Sequence, residues 1–175
     1  YSGLMVYLAS SSFIFIDMLG VPTQYFGLIF LGSVIGYMAG SALSARLSRQ
    51  YDSERIMRLG VLQATAASGL LLLCCYLWED SVLALLVPMV LYSTAMGLVL
   101  PHAMAIALRP FAHIAGTASS LLGFIQMSLA AGASALIGVF LTTTPKPMVW
   151  MLLVLALLSL LLGMRAHRLY TRTKP

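Results

Sequence analysis

Three side chains able to do chemistry stand out because each interrupts a long apolar run. His102 lies in GLVLPHAMAIAL, Gln126 lies in LLGFIQMSLAAG, and Asp17 lies near the end of the first apolar run. An imidazole inside a membrane could carry protons or contact a substrate. The alternative for His102 is a neutral imidazole hydrogen-bonded to a neighbouring helix. This alternative is favoured, because a single His with no identified proton-transfer partner is weak evidence for a functional role.

The other two polar groups also have two interpretations each. Asp17 could attract a cationic substrate at an outer mouth, but a carboxylate at a helix end in water needs no functional explanation. Gln126 needs a hydrogen-bond partner, either on a neighbouring helix or on a ligand. Nearby adaptable side chains could contact varied apolar ligands or simply form core, and these are Tyr92, Met96 and Met127.

The sequence carries none of the arrangements that chemistry on a loop requires. Paired carboxylates, a nucleophile beside a base and metal-ligand spacing are all lacking. Cys74 and Cys75 are adjacent, so within one helix they cannot form an ordinary disulfide. We therefore expect no enzyme activity, no metal and no cofactor.

Composition indicates the kind of fold that must position these residues. The chain is 61% hydrophobic and 9% charged, whereas soluble domains carry about 25% charged residues. Its apolar segments approach or exceed the roughly 20 residues that cross a bilayer as a helix, and they are too long for barrel strands. The segments are residues 1–18, 24–47, 56–78, 81–108, 114–141 and 147–164. The prediction is an all-α integral membrane bundle over residues 1–175, with a basic cytoplasmic tail at 165–175.

The distribution of positive charge supports this prediction independently. Six crossings would place nine of the ten Lys and Arg residues on the same side as both termini. Short cytoplasmic loops are enriched in Lys and Arg, so both termini are expected in the cytoplasm. The net charge of +5 is then a signal of topology, which makes nucleic-acid binding a poor explanation. The loop charges that carry this argument are Arg46, Arg49, Arg55, Arg58 and Arg109.

Small residues recur every four positions in the second and fifth segments. Such ladders let helices approach closely in lipid, either within one chain or against another bundle. Because the ladders occupy matching places in two triplets of helices, we expect a three-plus-three inverted repeat whose ladders meet a second bundle. The ladder residues are Gly32, Gly36, Gly40, Ala130, Ser134 and Gly138.

The fourth segment also carries a candidate hinge. Pro101 removes a backbone donor, and Gly97 lies one turn before it. A bend there could change access to a cavity, while a static kink is the alternative. Pro110 is expected to end this helix next to Arg109.

The sequence GLVLPHAMAIALRPF at 97–111, followed by AGTASSLLGFIQ at 115–126, resembles the Bcr/CflA drug-resistance transporters of the major facilitator superfamily. The motif YFGL at 25–28 and the arginine-rich second loop agree with it. The resemblance covers essentially the whole chain as helices seven to twelve of a twelve-helix drug:proton antiporter. It implies that the first helix lines a central cavity with Tyr7, Ser11, Phe13 and Phe15, unless these residues only pack.

Several expectations follow from this resemblance. The chain would export drugs or small molecules across a bacterial inner membrane, driven by the proton gradient rather than by a cofactor. Its partners would be the bilayer, the substrate and a missing N-terminal six-helix half, because the chain opens at Tyr1 rather than Met. The alternatives are a truncated fragment that does not transport, or a half that works only as a dimer or with that missing half.

Overall fold

The computed structural model describes residues 1–78, 81–140 and 144–172, with side chains described through residue 165. Every regular element in these ranges is helical. The α-helices are α1 (Ser2–Ser12), α2 (Thr23–Leu47), α3 (Ser53–Leu77), α4 (Val82–Leu108), α5 (Ala115–Phe140) and α6 (Lys146–Arg172). A π-helical segment, Phe13–Met18, extends α1, and a 3-10 segment, Arg109–Ile114, joins α4 to α5.

Four helical stretches of the described chain are long and apolar enough to cross a membrane. They are Thr23–Leu47, Ser53–Leu77, Val82–Phe140 and Lys146–Arg165, and Ser2–Met18 is a shorter apolar helix. The third stretch holds 59 residues, about 90 Å at 1.5 Å per residue, which far exceeds a bilayer core of about 30 Å. The backbone leaves helical geometry at Phe111, with φ −110° and ψ 25°, so the stretch is two helices joined at a break.

The expected helix limits agree with the structure to within a few residues, apart from the C-terminal end. The prediction that α4 ends next to Arg109 is confirmed, because α4 ends at Leu108. The sixth segment was expected to end at residue 164, before a tail at 165–175, but α6 continues as helix through Arg172. Residues 173–175 lie outside the described range. Leu141, the expected end of the fifth segment, also lies outside it.

The helices pack in a crossed arrangement. α4 packs against α2 and α3, while α1 packs against α5 and α6. α3 also contacts α6, which joins the two groups. The helices form two triplets in chain order, α1–α3 and α4–α6. The middle helix of each triplet packs on the first helix of the other: α2 on α4, and α5 on α1. The core between them is closed by large buried side chains, including Tyr7, Phe15, Leu71, Met89 and Leu152.

The glycine ladder of α2 is used inside this chain, where we expected it to meet another bundle. A Cβ atom on Gly36 would lie 2.7 Å from the carbonyl oxygen of Val90, and one on Gly40 would meet the backbone of Thr94. Gly97 approaches α2 from the other side, with a Cβ 2.8 Å from the Gly40 carbonyl carbon. These glycines let α2 and α4 touch backbone to backbone, which corrects the interface expectation for Gly36 and Gly40.

The ladder of α5 behaves differently. Ala130 is buried and Ser134 is half-buried, but Gly138 is exposed, and a Cβ built on it meets nothing within 4 Å. Large apolar side chains also project from α5, such as Phe124 at 70% and Val139 at 75% exposure. The described part of the chain therefore leaves one side of α5 uncovered.

Candidate substrate pathway

Two open clefts flank α1. The first, the α1–α2–α4 cleft, has a volume of about 220 Å³. The second, the α1–α4–α5 cleft, has a volume of about 390 Å³. Apolar side chains dominate both linings, and Tyr1 and Leu100 contribute to both. The two clefts therefore lie on either side of the same helix, α1.

Hydroxyl groups supply the polarity of the α1–α2–α4 cleft. Leu4 and Leu8 form the α1 wall, while Ser33, Tyr37 and Ser93 bring hydroxyls from α2 and α4. The Ser33 hydroxyl donates a 3.2 Å hydrogen bond to the Tyr7 hydroxyl behind it. Among the described residues, no side chain lining this cleft carries a charge.

Gln126 lines the α1–α4–α5 cleft, where its amide is half-buried. Facing residues include Met104 and Ala107 from the second half of α4 and Ser2 from α1. α4 and α5 make few direct contacts apart from the 3-10 segment that joins them, which leaves the space between them open. An amide at the wall of an apolar cleft can orient a ligand through one or two hydrogen bonds.

Most expected pathway residues of the first segment lie in the core instead. Tyr7, Ser11 and Phe15 are buried, and the Ser11 hydroxyl donates 2.9 Å to the Leu8 carbonyl of its own helix. Phe13 is half-buried in the π segment, and Asp17 is exposed near the end of that segment. Tyr7 borders the first cleft only indirectly, through its hydrogen bond to Ser33.

The remaining expected pathway residues divide between core and surface. Tyr92 and Met96 are buried at 3% and 5% exposure, and a Cβ on Gly3 would meet the Tyr92 hydroxyl. Met127 is 55% exposed, and its sulfur accepts a weak 3.7 Å contact from the Tyr1 hydroxyl. Gly97 and Pro101 lie within an unbroken α4 helix, and Gly97 serves the contact with α2.

His102 joins α4 to α2. Its Nε2 atom lies 2.8 Å from the Ser44 hydroxyl and 3.4 Å from the Ser48 hydroxyl, and the residue is 6% exposed. Ser48 in turn donates 2.7 Å to the Ser44 carbonyl. This contact is an interhelical hydrogen bond of the kind expected in the packing interpretation of His102.

The charges expected in cytoplasmic loops lie at or near helix ends. Arg46 is in the last turn of α2, and Arg109 begins the 3-10 segment. Arg58 forms a 3.7 Å ion pair with Glu54 one turn earlier in α3. Both partners are about two-fifths exposed, so the pair contributes little to stability.

Several lining residues escaped sequence reasoning. The sequence does not distinguish Ser33, Tyr37 and Ser93, because serine and tyrosine in a membrane helix are normally part of the packing. The available signal is the pair Ser93-Thr94, two adjacent hydroxyls within a long apolar helix. Only one of two such neighbours can face the helix contact, so the other faces elsewhere.

Known proteins similar in sequence to this chain include membrane transporters, which agrees with a helical bundle that has open clefts. The chain is 27% identical over 143 residues to an uncharacterised MFS-type transporter of Bacillus subtilis, covering 82% of this chain and 35% of that protein. It is 25% identical over 150 residues to a bicyclomycin resistance protein homologue of Haemophilus influenzae, covering 86% and 37%. Its homologues are transporters of the major facilitator superfamily (MFS). The resemblance drawn from the sequence is confirmed.

The remaining comparisons set the extent of this relationship. An uncharacterised transporter of Rickettsia bellii matches at 27% identity over 137 residues, 33% of its length. The chain thus spans about a third of the length of the curated relatives it matches. No family model matches it. No solved structure matches it either.

These homologues are transporters rather than enzymes, which supports the expectation that the chain is not an enzyme. Together with the long apolar helices, they identify a multi-pass membrane protein whose surroundings are lipid.

Proposed function

We propose that this chain is the C-terminal half of an MFS efflux transporter that exports drugs or small molecules by proton antiport. The observation that carries the proposal is the pair of open, apolar clefts beside α1 in a chain homologous to transporters. Such clefts suit ligands that are mainly apolar, with a few polar groups fixing their orientation. The drug-resistance name of one relative supports drugs as the class of substrate.

The proposed membrane arrangement is six passes related by a three-plus-three inverted repeat. The break at Phe111 supports counting α4 and α5 as separate passes. The crossed packing supports the repeat, because α2 on α4 and α5 on α1 are the same contact with the triplets exchanged. In this repeat, α1 and α4 are equivalent and border both clefts, as expected for the helices that line a transport pathway.

The proposed orientation places both termini of the chain in the cytoplasm of a bacterium, with the helices in its inner membrane. The segregation of nine of the ten basic residues supports it. The proposed partner is an N-terminal six-helix half, which the roughly one-third coverage of the relatives leaves room for. The uncovered side of α5 and its ladder residue Gly138 are the proposed contact surface.

Alternating access would follow from rocking of the two halves about this contact. The proton gradient is the proposed energy source, with coupling acids supplied by the other half. In this arrangement, substrate occupies the clefts beside α1, and the bundle core moves as one body.

The test is efflux by the complete reading frame in a host that lacks its own pumps. A panel of neutral, cationic and anionic drugs is measured with and without a protonophore, against an empty vector. Export that stops with the protonophore is the expected result. Export that survives collapse of the proton gradient would contradict antiport.

Three further outcomes separate the alternatives. Export by the complete reading frame but not by residues 1–175 alone supports the requirement for the missing half. Export by residues 1–175 together with crosslinking between Gly138→Cys copies would favour a dimer. A complete reading frame that adds no further helices and exports nothing would favour a fragment that does not transport.

A further inference from the structure

Serine and threonine hydroxyls inside these helices follow a common pattern, with one informative exception. Thr65, Ser68 and Thr94 each donate to the carbonyl four residues earlier, at 2.8–2.9 Å. This bond satisfies a hydroxyl in an apolar helix without any other partner. Ser93, the neighbour of Thr94, has no hydrogen-bond partner although it is fully buried.

An unpartnered buried hydroxyl costs free energy and therefore needs an explanation. Among the described residues, only Ser10 and Ser93 have such a side-chain oxygen. Ser93 differs from Ser10 because it belongs to the wall of a cleft, the α1–α2–α4 cleft of about 220 Å³. The Ser93 oxygen has almost no accessible surface, so a molecule in that cleft supplies the missing hydrogen bond once neighbouring side chains shift to admit it.

Ser33 and Tyr37 add two hydroxyls to the same cleft from α2. Ser33 is 4% exposed, and its proton is committed to the Tyr7 oxygen, so its own oxygen remains able to accept. The Ser93 hydroxyl can either donate or accept. These hydroxyls therefore offer both hydrogen-bonding roles directly behind an apolar cleft surface formed by residues such as Leu4, Leu8 and Leu100.

We infer that Ser93 is the polar anchor of a ligand subsite in the α1–α2–α4 cleft. The ligand is a neutral, mainly apolar molecule that carries a hydroxyl or similar hydrogen-bonding group. Neutrality follows from the lining, because none of its described side chains could balance a charge taken out of water. This inference rests on the proposed transport function and specifies the class of substrate held at this part of the pathway.

The test uses the complete protein in lipid nanodiscs and two probes that differ by one hydroxyl, 2-naphthol and naphthalene. Equilibrium dialysis against empty nanodiscs separates binding from partition into lipid. We expect the wild-type protein to bind 2-naphthol about three- to tenfold more tightly than naphthalene, as one net hydrogen bond gives. Ser93→Ala should abolish this preference, and naphthalene-2-sulfonate should bind no more to the protein than to empty nanodiscs.

Ser68→Ala is the matched control, because Ser68 is equally buried but bonds to the Ala64 carbonyl in α3. It should keep the preference for 2-naphthol. Thermal unfolding without ligand gives a second readout. Ser93→Ala should unfold at the same or a higher temperature than wild type, since the hydroxyl it removes has no partner.

The outcomes distinguish this inference from the proposed function. An equal preference in Ser93→Ala and Ser68→Ala, or no preference in the wild-type protein, overturns the subsite. If drug export still operates in that case, the proposed function stands. If the preference depends on Ser93 but the complete protein exports nothing, the subsite stands and the proposed function fails. Tight binding of the sulfonate overturns the neutral class of ligand.

Discussion

Replacement of Gly40 by alanine tests the close contact between α2 and α4. The new Cβ would fall on the carbonyl group of Thr94, so a rigid backbone rather than a flexible side chain opposes it. Overpacking of this kind costs about 1–3 kcal/mol, and this site belongs in the upper part of that range. The better helix propensity of alanine returns up to about 1 kcal/mol. The expected net loss in the free energy of unfolding is about 2 kcal/mol.

For a chain of this size, that loss corresponds to a melting temperature lower by about 4–8 °C. The buried thiol of Cys75 provides the assay, because maleimide dyes reach it only when the bundle opens. A Cys74→Ala background removes the signal of the half-buried neighbour. The matched control is Gly132→Ala in α5, where a Cβ meets nothing within 4 Å. This control should melt at the same or a slightly higher temperature.

A double-variant cycle sharpens the result. Gly97→Ala adds a Cβ about 2.8 Å from the Gly40 carbonyl carbon, so it pushes the same two helices apart. Once one alanine has separated them, the second costs less, and Gly40→Ala with Gly97→Ala should lose less than the sum of the single losses. An unchanged melting temperature for Gly40→Ala, or an equal drop for Gly132→Ala, would refute the backbone contact.

Two further predictions concern polar groups at the clefts and helix contacts. His102→Asn should leave the pH profile of transport unchanged, whereas a shifted profile would give His102 a role in proton coupling. His102→Leu should destabilise the protein by about 1–3 kcal/mol, measured by thermal unfolding, because it strips a buried hydroxyl of its partner. Gln126→Ala should change the drug-resistance profile at unchanged expression, while Leu162→Ala, exposed on α6 and outside both clefts, should not; equal profiles would remove Gln126 from the pathway.

The sequence predicted the helical elements well because lipid imposes strict rules on the chain. Long apolar runs must be helical to satisfy their backbones, and proline and arginine mark where they stop. The limits of α2 and α4 were therefore predictable to within a residue. The partner of His102 was not, because Ser44 is 58 positions away and nothing in the sequence states which helices touch.

The glycine ladders show the same limit more sharply. Four-residue spacing predicts a close helix contact but not the identity of the other helix. α2 uses its ladder on α4, whereas Gly138 in α5 has open space around it. Both ladders have the same spacing, and only the packing of the bundle distinguishes them.

The sequence by itself determined that the chain spans a membrane. It also determined the first and last residues of most helices, and the superfamily that the chain resembles. Each of these depends on the local balance between apolar side chains, backbone hydrogen bonds and water. The tertiary structure alone decided that Tyr7 and Phe15 are core, that Gln126 lines a cleft, and that Ser93 lacks a partner beside one. The physical reason is that the rotation of each helix is set by contacts with helices distant in sequence, and this rotation decides which side chains reach a cavity.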